Sequence, residues 1–318
     1  MNTTNLSTWN PNYPLLLGNE KMGGRPWRGY ISEISIADKA ITASEVKRAL
    51  ADENYLNTLG GSLIASYQFT GQCCYTDKTG NLPKLLWRGQ GKPSETQEEK
   101  GVFLNENHWL ETEAPAILLN QRISETSELT IDTTITSANP DQTGPARIIS
   151  LSGNPLRRNL TVGQVGSDLD VRIRTSITGE NGTELQLRVP DVFTEMKPHH
   201  LIIIYSKANL KVYIDTLQNS HSFNLVELIP NDQKFFYYAM TFIPIGFCLA
   251  LLTVLAKRKL FFYRLLLPTG ILLPPLILES ILVTESGKHL SLKSLLIGIF
   301  FTASTMLVLR MRAAMAVK

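Results

Sequence analysis

"KFFYYAMTFIPIGFCLALLTVLAKRK" (residues 234–259) decides the architecture of this chain. Residues 235–256 carry no charge, begin with aromatic side chains and are followed directly by three basic residues. A helix needs about 20 apolar residues to cross a hydrocarbon core of ~30 Å, so this stretch is long enough to span a membrane. We therefore predict a membrane helix at residues 235–256.

Two further apolar runs follow, at residues 260–283 and 294–309. A soluble domain has little use for three such helices in a row, and we predict a three-helix transmembrane domain over residues 235–309. Pro268, Pro274 and Pro275 fall in the second run, where proline is expected to kink or break a helix.

Basic residues near the predicted spans fix their orientation. The loop after the first span and the tail after the third hold most of them: Lys257, Arg258, Lys259, Arg264, Arg310, Arg312 and Lys318. The other loop has only Lys288 and Lys293. Because lysine and arginine are enriched in cytoplasmic loops, we expect a multi-pass cell-membrane protein with residues before 235 outside the cytoplasm and the C-terminus inside.

Whole-chain composition hides this division, since a net charge of +3 and 43% hydrophobic residues are ordinary values. Residues 1–234 are polar and rich in Thr, Ser, Asn and Gly. Charges of opposite sign alternate along them, which argues against a nucleic-acid partner. Cys73 and Cys74 are adjacent and Cys248 lies in the first span, so no zinc-site spacing is present.

Short alternating segments bounded by Gly, Asn, Pro or Asp predict an antiparallel β-sandwich or barrel in the first part. They are ELTIDTTIT (128–136), ARIISLS (146–152), LTVGQV (160–165), LDVRIRTSI (169–177), ELQLRV (184–189), HHLIIIYS (199–206) and LKVYID (210–215). GENG (179–182) predicts a tight hairpin. In LDVRIRT, Arg172 and Arg174 face away from the apolar side, as either a solvated face or a basic ligand-binding strip.

A family resemblance appears at PLLLGNEKMGGRPWRGYISEISIADKAITASEVKRAL (14–50), which resembles the closing segment of laminin G-like, concanavalin A-like domains. SLIASYQFTG (62–71) and TDKTGN (76–81) look like the opening of such a domain, and residues 199–216 are similar to its central strands. The resemblance implies a mainly β, jelly-roll sandwich over residues 13–225. Thr42 and Glu45 have the spacing of a helix capping box.

Residues 13–50 thus resemble the end of a domain whose beginning is found later in the chain. Either they complete the sheets of the later strands in a permuted sandwich, or they are the remnant of a truncated upstream domain. We favour the permuted sandwich, because an incomplete one would leave exposed sheet edges. In that case GYISEISIA (29–37) should pair with residues 62–69 and with strands after residue 128. The lack of a signal-peptide pattern before the sandwich favours a truncated gene product.

The stretch LPPLILESILVTESGKHLSLKSLLIGIFFTAST (273–305) is similar to the end of VanZ-like membrane proteins. Glu279 matches that family's glutamate and Ser291 its serine, whereas Lys288 and Ser294 replace its arginine and aspartate. An ionisable group within a span is costly and often functional. Glu279 is therefore the membrane candidate, the alternative being a solvated side chain near the outer end of its helix.

These patterns predict a membrane-anchored, outward-facing binding module for glycan or another cell-envelope polymer. Trp27, Trp87 and Trp109 are candidates for sugar stacking, with a place in the core as the alternative. The laminin G resemblance also implies calcium as a cofactor, with Asp77 as the residue we would name; a local turn role is the alternative.

Two other functions stay open. The chain is either a VanZ-like protein that acts on or transports a lipid-linked envelope molecule, with the sandwich as an accessory, or an inactive fragment. We expect no enzyme and name no catalytic residue. Glu111 and Glu113 alternate without a third acid, and neither Gly-x-Ser-x-Gly nor His-Glu-x-x-His occurs.

Overall fold

The computed structural model describes residues 4–52, 54–70, 75–91, 93, 101–255 and 267–315. The chain divides into two compact units, Met1–Leu225 and Val226–Lys318. Cys73, Cys74 and the basic loop at residues 257–264 lie outside the described residues.

Antiparallel strands make up most of the first unit. They are β1 (Leu15–Leu17), β2 (Gly29–Ala37), β3 (Leu63–Gln68), β4 (Leu85–Gly89), β5 (Val102–Leu104), β6 (His108–Thr112), β7 (Leu129–Ser137), β8 (Ala146–Asn154), β9 (Arg157–Val165), β10 (Asp168–Ile173), β11 (Leu187–Val189), β12 (His199–Ser206), β13 (Asn209–Ile214) and β14 (Thr216–Asn224). Helices α1 (Ala43–Ala49) and α2 (Ile117–Thr126) and a 3₁₀ helix (Tyr55–Ser62) connect them.

The strands form two seven-stranded sheets. Sheet A has the order β11-β10-β9-β8-β1-β6-β4, and sheet B the order β14-β13-β12-β7-β2-β3, with β5 also paired to β2. In sheet A, Val171 lies opposite Val162 and Val162 opposite Ile149, and all three are fully buried. Because directly opposite residues point to the same side of a sheet, this row marks the face turned to the core. We call the other side the outer face of sheet A.

The N-terminal segment belongs to both sheets. Strand β1 lies between β8 and β6, with Leu16 opposite Ser150 on one side and Glu111 on the other. Strand β2 lies between β7 and β3. This is the pairing that the alternating pattern of residues 29–37 predicts, and it corresponds to the permuted alternative. The segment occupies the interior of both sheets, where each of its strands is paired along both edges.

The capping box at α1 is present as predicted. The Glu45 backbone N–H donates to Thr42 Oγ1, and the Thr42 backbone N–H donates to Glu45 Oε2 at 2.7 Å. This backbone hydrogen bond, together with one from Lys39, lowers the pKa of Glu45 to about 2.

Two local predictions hold only in part. The segment LDVRIRTSI does not run as one strand to residue 177, because β10 ends at Ile173 and Thr178 turns back to donate a hydrogen bond to the Ile173 carbonyl. A tight turn does form at GENG, where the Gly182 N–H donates to the Gly179 carbonyl oxygen at 3.1 Å. It is not flanked directly by β10 and β11, which pair with each other but are joined by residues 174–186. Strand β14 has no alternating apolar pattern and was missed; its pairing with β13 supplies the order.

The second unit contains α3 (Leu225–Leu228), which begins at the boundary, and the long helices α4 (Asn231–Leu255), α5 (Leu267–Ser286) and α6 (Leu292–Met315). All three long helices are long and apolar enough to cross a membrane. Helix α5 continues through Pro274 and Pro275, so of the predicted kink or break, a break does not occur. Helices α4 and α6 approach closely at Gly246, where a Cβ would lie 2.6 Å from the Thr302 carbonyl oxygen.

Candidate functional site

Charged side chains form a row across the outer face of sheet A. Arg188 of β11 lies opposite Asp170 of β10, Asp170 opposite Gly163 of β9, and Gly163 opposite Arg147 of β8. Glycine contributes no side chain between Asp170 and Arg147. On the next row Arg172 points to the same side as Asp170, because side chains two apart on a strand share a face.

Arg158 reaches this face through a bulge. Leu151 of β8 pairs with Leu160, but the next residue, Ser152, pairs with Arg158, so Asn159 is skipped in the register. An extra residue in one strand reverses the side on which the following side chains lie. Arg158 therefore shares the outer face with Ser152, although simple alternation from Leu160 would place it in the core.

Arg147 and Arg158 are each only 2% exposed, yet their hydrogen bonding is incomplete. Nη2 of both side chains donates to the Pro155 carbonyl oxygen, at 3.0 Å from Arg147. Nε of Arg147 and both Nε and Nη1 of Arg158 meet no acceptor within the described part of the chain. Buried guanidinium groups normally have their donors satisfied, so three unpaired nitrogens here are unusual.

The nearby carboxylates are few and already engaged. Asp170 accepts from Nε of Arg172 at 2.7 Å and lies 3.9 Å from Nε of Arg188. Glu20 accepts from the backbone N–H groups of Met22 and Gly24, at 3.1 and 2.9 Å. The face therefore has more positive than negative charge.

This excess changes the acidity of the buried arginines. Burial, which disfavours the charged form, lowers the pKa of Arg147 to about 10 and that of Arg158 to about 9. The charges of Arg172 and Arg25 lower both pKa values further, and Arg147 adds to the effect on Arg158. Glu20 and Asp170 act in the opposite direction on Arg147 and Arg158, respectively.

The two arginines named from the sequence have different positions. Arg172 belongs to the cluster, and its side chain is 23% exposed and paired with Asp170. Arg174 lies beyond the end of β10, with Nη2 3.9 Å from Glu180. Sequence reasoning missed Arg147 and Arg158, because a register shift separates each from its apolar neighbours: Ile148 is skipped beside Arg147, as Asn159 is beside Arg158. Simple alternation would have placed both side chains in the core.

The three candidate tryptophans lie in different parts of the sandwich. Trp27 is fully buried and donates from Nε1 to Gln164 Oε1 at 2.9 Å, so it belongs to the core. Trp87 lies opposite the buried Leu110, on the core side of sheet A. Trp109 lies opposite Arg88 on the outer face, and a Cβ at Gly23 would be 3.3 Å from its ring. Of the three candidates, Trp109 shares a sheet face with the arginine cluster.

Asp77 holds its own turn together. Its two carboxylate oxygens accept from the backbone N–H groups of Ser66, Asn81 and Leu82 at 2.8 to 2.9 Å and from the Thr79 hydroxyl at 2.6 Å. A calcium ion would have to compete with these donors for the same oxygens.

Metal-ligating residues are otherwise dispersed. His199 contacts Asp215 at 2.9 Å and His200 contacts Asp132 at 2.5 Å, so the adjacent histidines have separate partners, as alternation predicts. Among the described residues, no group of three or more His, Cys, Asp or Glu side chains could hold a metal ion.

A second polar cluster lies in the membrane unit, around Glu279 of α5. Lys288 Nζ donates to both carboxylate oxygens, at 3.0 and 2.9 Å, and the hydroxyl of Tyr238 from α4 donates to Oε1 at 2.5 Å. The Ser291 backbone N–H lies 3.4 Å from Oε2, and the Ser291 hydroxyl accepts from the Ser294 N–H at the start of α6. Glu279 is 1% exposed, which rules out the solvated alternative.

The structure thus brings together Glu279, Lys288 and Ser291, which the resemblance to VanZ-like proteins grouped in one motif, and adds Tyr238, which that resemblance missed. Tyr238 is about 40 residues away and one of several aromatic residues at the start of the first span, so no local pattern distinguishes it. Comparison of the chain with protein-family models, with curated proteins and with solved structures gives no match.

Proposed function

We propose that this protein is a membrane-anchored module that binds a glycan or another polymer of the cell envelope through the outer face of sheet A. The observation that carries the proposal is the set of buried but incompletely paired arginines on that face. Leaving charged donors unsatisfied in a folded protein is costly, so these groups need an explanation, and a bound ligand would supply the missing acceptors.

Trp109 supports a polymer as the ligand. It lies on the same sheet face as the arginines, on β6, whereas Arg147 and Arg158 lie on β8 and β9. Strand β1 separates β6 from β8, and neighbouring strands are about 4.8 Å apart, so β6 and β8 lie about 10 Å from each other. An aromatic ring can stack on a sugar while the polar groups hold its substituents.

Binding to isolated cell-envelope polymers tests this function. The full chain, reconstituted in lipid nanodiscs, should bind a fraction of purified envelope glycans, and Trp109→Ala should weaken that binding by about fivefold or more because it removes the stacking surface. Trp27→Phe serves as the control for a buried tryptophan. No binding to any envelope fraction would refute the proposed function and leave the inactive-fragment alternative.

The Glu279 cluster favours a second candidate function, action on or transport of a lipid-linked envelope molecule by the membrane unit. A buried ion pair reinforced by a tyrosine hydroxyl and a helix N-terminus is costly to assemble within a membrane.

Genetic separation distinguishes the two candidate functions. Deletion of the gene is expected to give an envelope phenotype. If the membrane unit carries the function, a chain without residues 1–225 should rescue that phenotype, whereas the full-length Glu279→Gln variant should not. If Glu279→Gln rescues fully while the chain without the sandwich does not, the membrane unit is an anchor.

A further inference from the structure

The arginine cluster indicates which chemical class the binding face selects. Arg147 and Arg158 form its buried part, and Arg172 and Arg188, with side chains 23% and 38% exposed, form its edge toward solvent. The charge of Arg25 is close enough to lower the pKa of both buried arginines. Against these five guanidinium groups stand Asp170 and Glu20, whose oxygens already accept hydrogen bonds.

We propose that this cluster is an anion-binding site, which recognises carboxylate or phosphate groups on the polymer. The inference rests on the proposed function and narrows it to acidic polymers. A carboxylate or phosphate presents oxygens that match the planar donor fork of arginine, and such charge-assisted hydrogen bonds are stronger than neutral ones.

The unpaired nitrogens supply the donors for such a group. Nε and Nη1 of Arg158 each have a donor without an acceptor, while Nη2 is anchored on Pro155. Arg147 has the same anchor and an unpaired Nε. Pro155 thus holds both side chains in place and leaves other donors available, so a bound anion would supply both the missing acceptors and the missing negative charge.

A cluster with only structural purpose would be arranged differently. Arg88 on the same sheet face donates from Nε to Glu111 at 2.8 Å, and Arg122 is paired with Asp38 at 2.5 Å. Each of these two arginines has its own carboxylate. Arg147 and Arg158 instead share the Pro155 carbonyl oxygen and keep donors without an acceptor.

Three immobilised polymers test the proposal with the full chain in nanodiscs: polygalacturonate, which carries carboxylates, poly(glycerol phosphate), which carries phosphodiesters, and neutral dextran. We expect at least one acidic polymer to bind at least tenfold more tightly than dextran and to be released as salt is raised. The preferred polymer identifies the anion as carboxylate or phosphate.

Single substitutions assign the binding to the cluster. Arg158→Gln should weaken binding of the acidic polymer about tenfold or more, since hydrogen bonds between charged groups are lost. Arg188→Gln, at the exposed edge, should weaken it without disturbing the buried side chains. Arg157→Gln is the matched control, because this exposed neighbour of Arg158 removes the same charge from the same strand; its affinity should change less than twofold.

Citrate and inorganic phosphate provide a readout that does not depend on a polymer. Either anion should raise the unfolding temperature of the wild-type chain and of Arg157→Gln but not that of Arg158→Gln, because a ligand stabilises the state that binds it. If dextran binds as well as the acidic polymers and neither Arg158→Gln nor Arg188→Gln changes affinity, the anion site is refuted while the polymer-binding function stands. If anions stabilise the protein through Arg158 but no polymer binds, the anion site stands and the polymer-binding function fails.

Discussion

Arg158 combines a charge, burial and an incomplete set of partners in one residue. Its pKa is lowered to about 9 in the folded chain, well below the usual range of an arginine. At pH values between about 9 and that usual range the unfolded chain holds more protons than the folded one, so the contribution of Arg158 to stability rises with pH across this window. Below about pH 9 the full cost of the buried charge is present.

Replacing Arg158 by methionine should therefore stabilise the ligand-free protein most at neutral pH. We expect the unfolding free energy of Arg158→Met to exceed that of the wild type by about 1 kcal/mol near pH 8, since well-packed apolar substitutes for buried ions are often stabilising. This gain should shrink as the pH is raised to about 10.5. Denaturant unfolding of the full chain in detergent measures this gain in unfolding free energy, with Arg157→Gln as the control. A gain that stays the same across this pH range would contradict the lowered pKa of Arg158.

Asp77 is a residue whose structural role can be measured directly. Asp77→Asn replaces one acceptor oxygen by an amide donor that faces N–H groups, so several hydrogen bonds to a charged carboxylate are lost. We expect the unfolding free energy to fall by at least about 2 kcal/mol. Asp141→Asn, at an exposed position, should change it little.

Calcium provides the complementary measurement at Asp77. Because its oxygens already accept hydrogen bonds from the turn, we expect neither calcium nor a chelator to change the unfolding temperature. A rise with calcium that Asp77→Asn abolishes would restore the metal role implied by the laminin G resemblance.

Strands β1 and β2 each connect two parts of a sheet in the first unit. Each lies between two partners, so removing residues 1–50 would separate β6 and β4 from β8 in sheet A, and β3 from β7 in sheet B. We expect that deletion to abolish the cooperative unfolding of the sandwich.

A point substitution tests the same contact with less disturbance. Leu17, fully buried between Ile149 and Leu110, faces the core of sheet A, and Leu17→Asp should cost more than about 4 kcal/mol because it buries an unpaired charge. Met22→Asp in the same segment, at a side chain 72% exposed, should be nearly neutral. Near-ultraviolet circular dichroism during denaturation measures the unfolding transition of each variant. An unfolding transition that is unchanged in Leu17→Asp or in the deletion of residues 1–50 would mean that the N-terminal segment does not stabilise the sandwich.

The strands that could be predicted from sequence are those with a clear alternating pattern. Strands β7, β8, β12 and β13 begin and end within about two residues of the expected positions. Strand β14 could not be predicted, because its residues are mostly polar and exposed and its order comes from pairing with β13. The short strands β4 to β6 likewise depend on neighbours distant in sequence.

The candidate site was predicted only in part, for a related reason. Arg172 follows from alternation along one strand, whereas Arg158 requires a bulge that is set by the pairing of β8 with β9. Glu279 and Lys288 are close in sequence and could be grouped, but Tyr238 comes from a different helix. Local periodicity shows which way a side chain points; it does not show which side chains meet.

The whole molecule joins a β-sandwich of residues 1–225 to a unit with three helices that can span a membrane. Where the sandwich lies relative to that membrane decides what it can bind. An envelope polymer is accessible only from outside the cytoplasm, and the distribution of lysine and arginine around the spans predicts that side for the sandwich. The proposed function therefore depends directly on orientation.

Labelling of single cysteines in right-side-out membrane vesicles tests this orientation. In a chain with Cys73, Cys74 and Cys248 replaced by serine, Met196→Cys places a thiol on the sandwich at a position 67% exposed, and Arg258→Cys places one in the first loop. A membrane-impermeant maleimide should label the thiol at position 196 in intact vesicles and the one at position 258 only after detergent is added. Labelling at position 258 in intact vesicles, with position 196 protected until detergent is added, would contradict an outward-facing binding module.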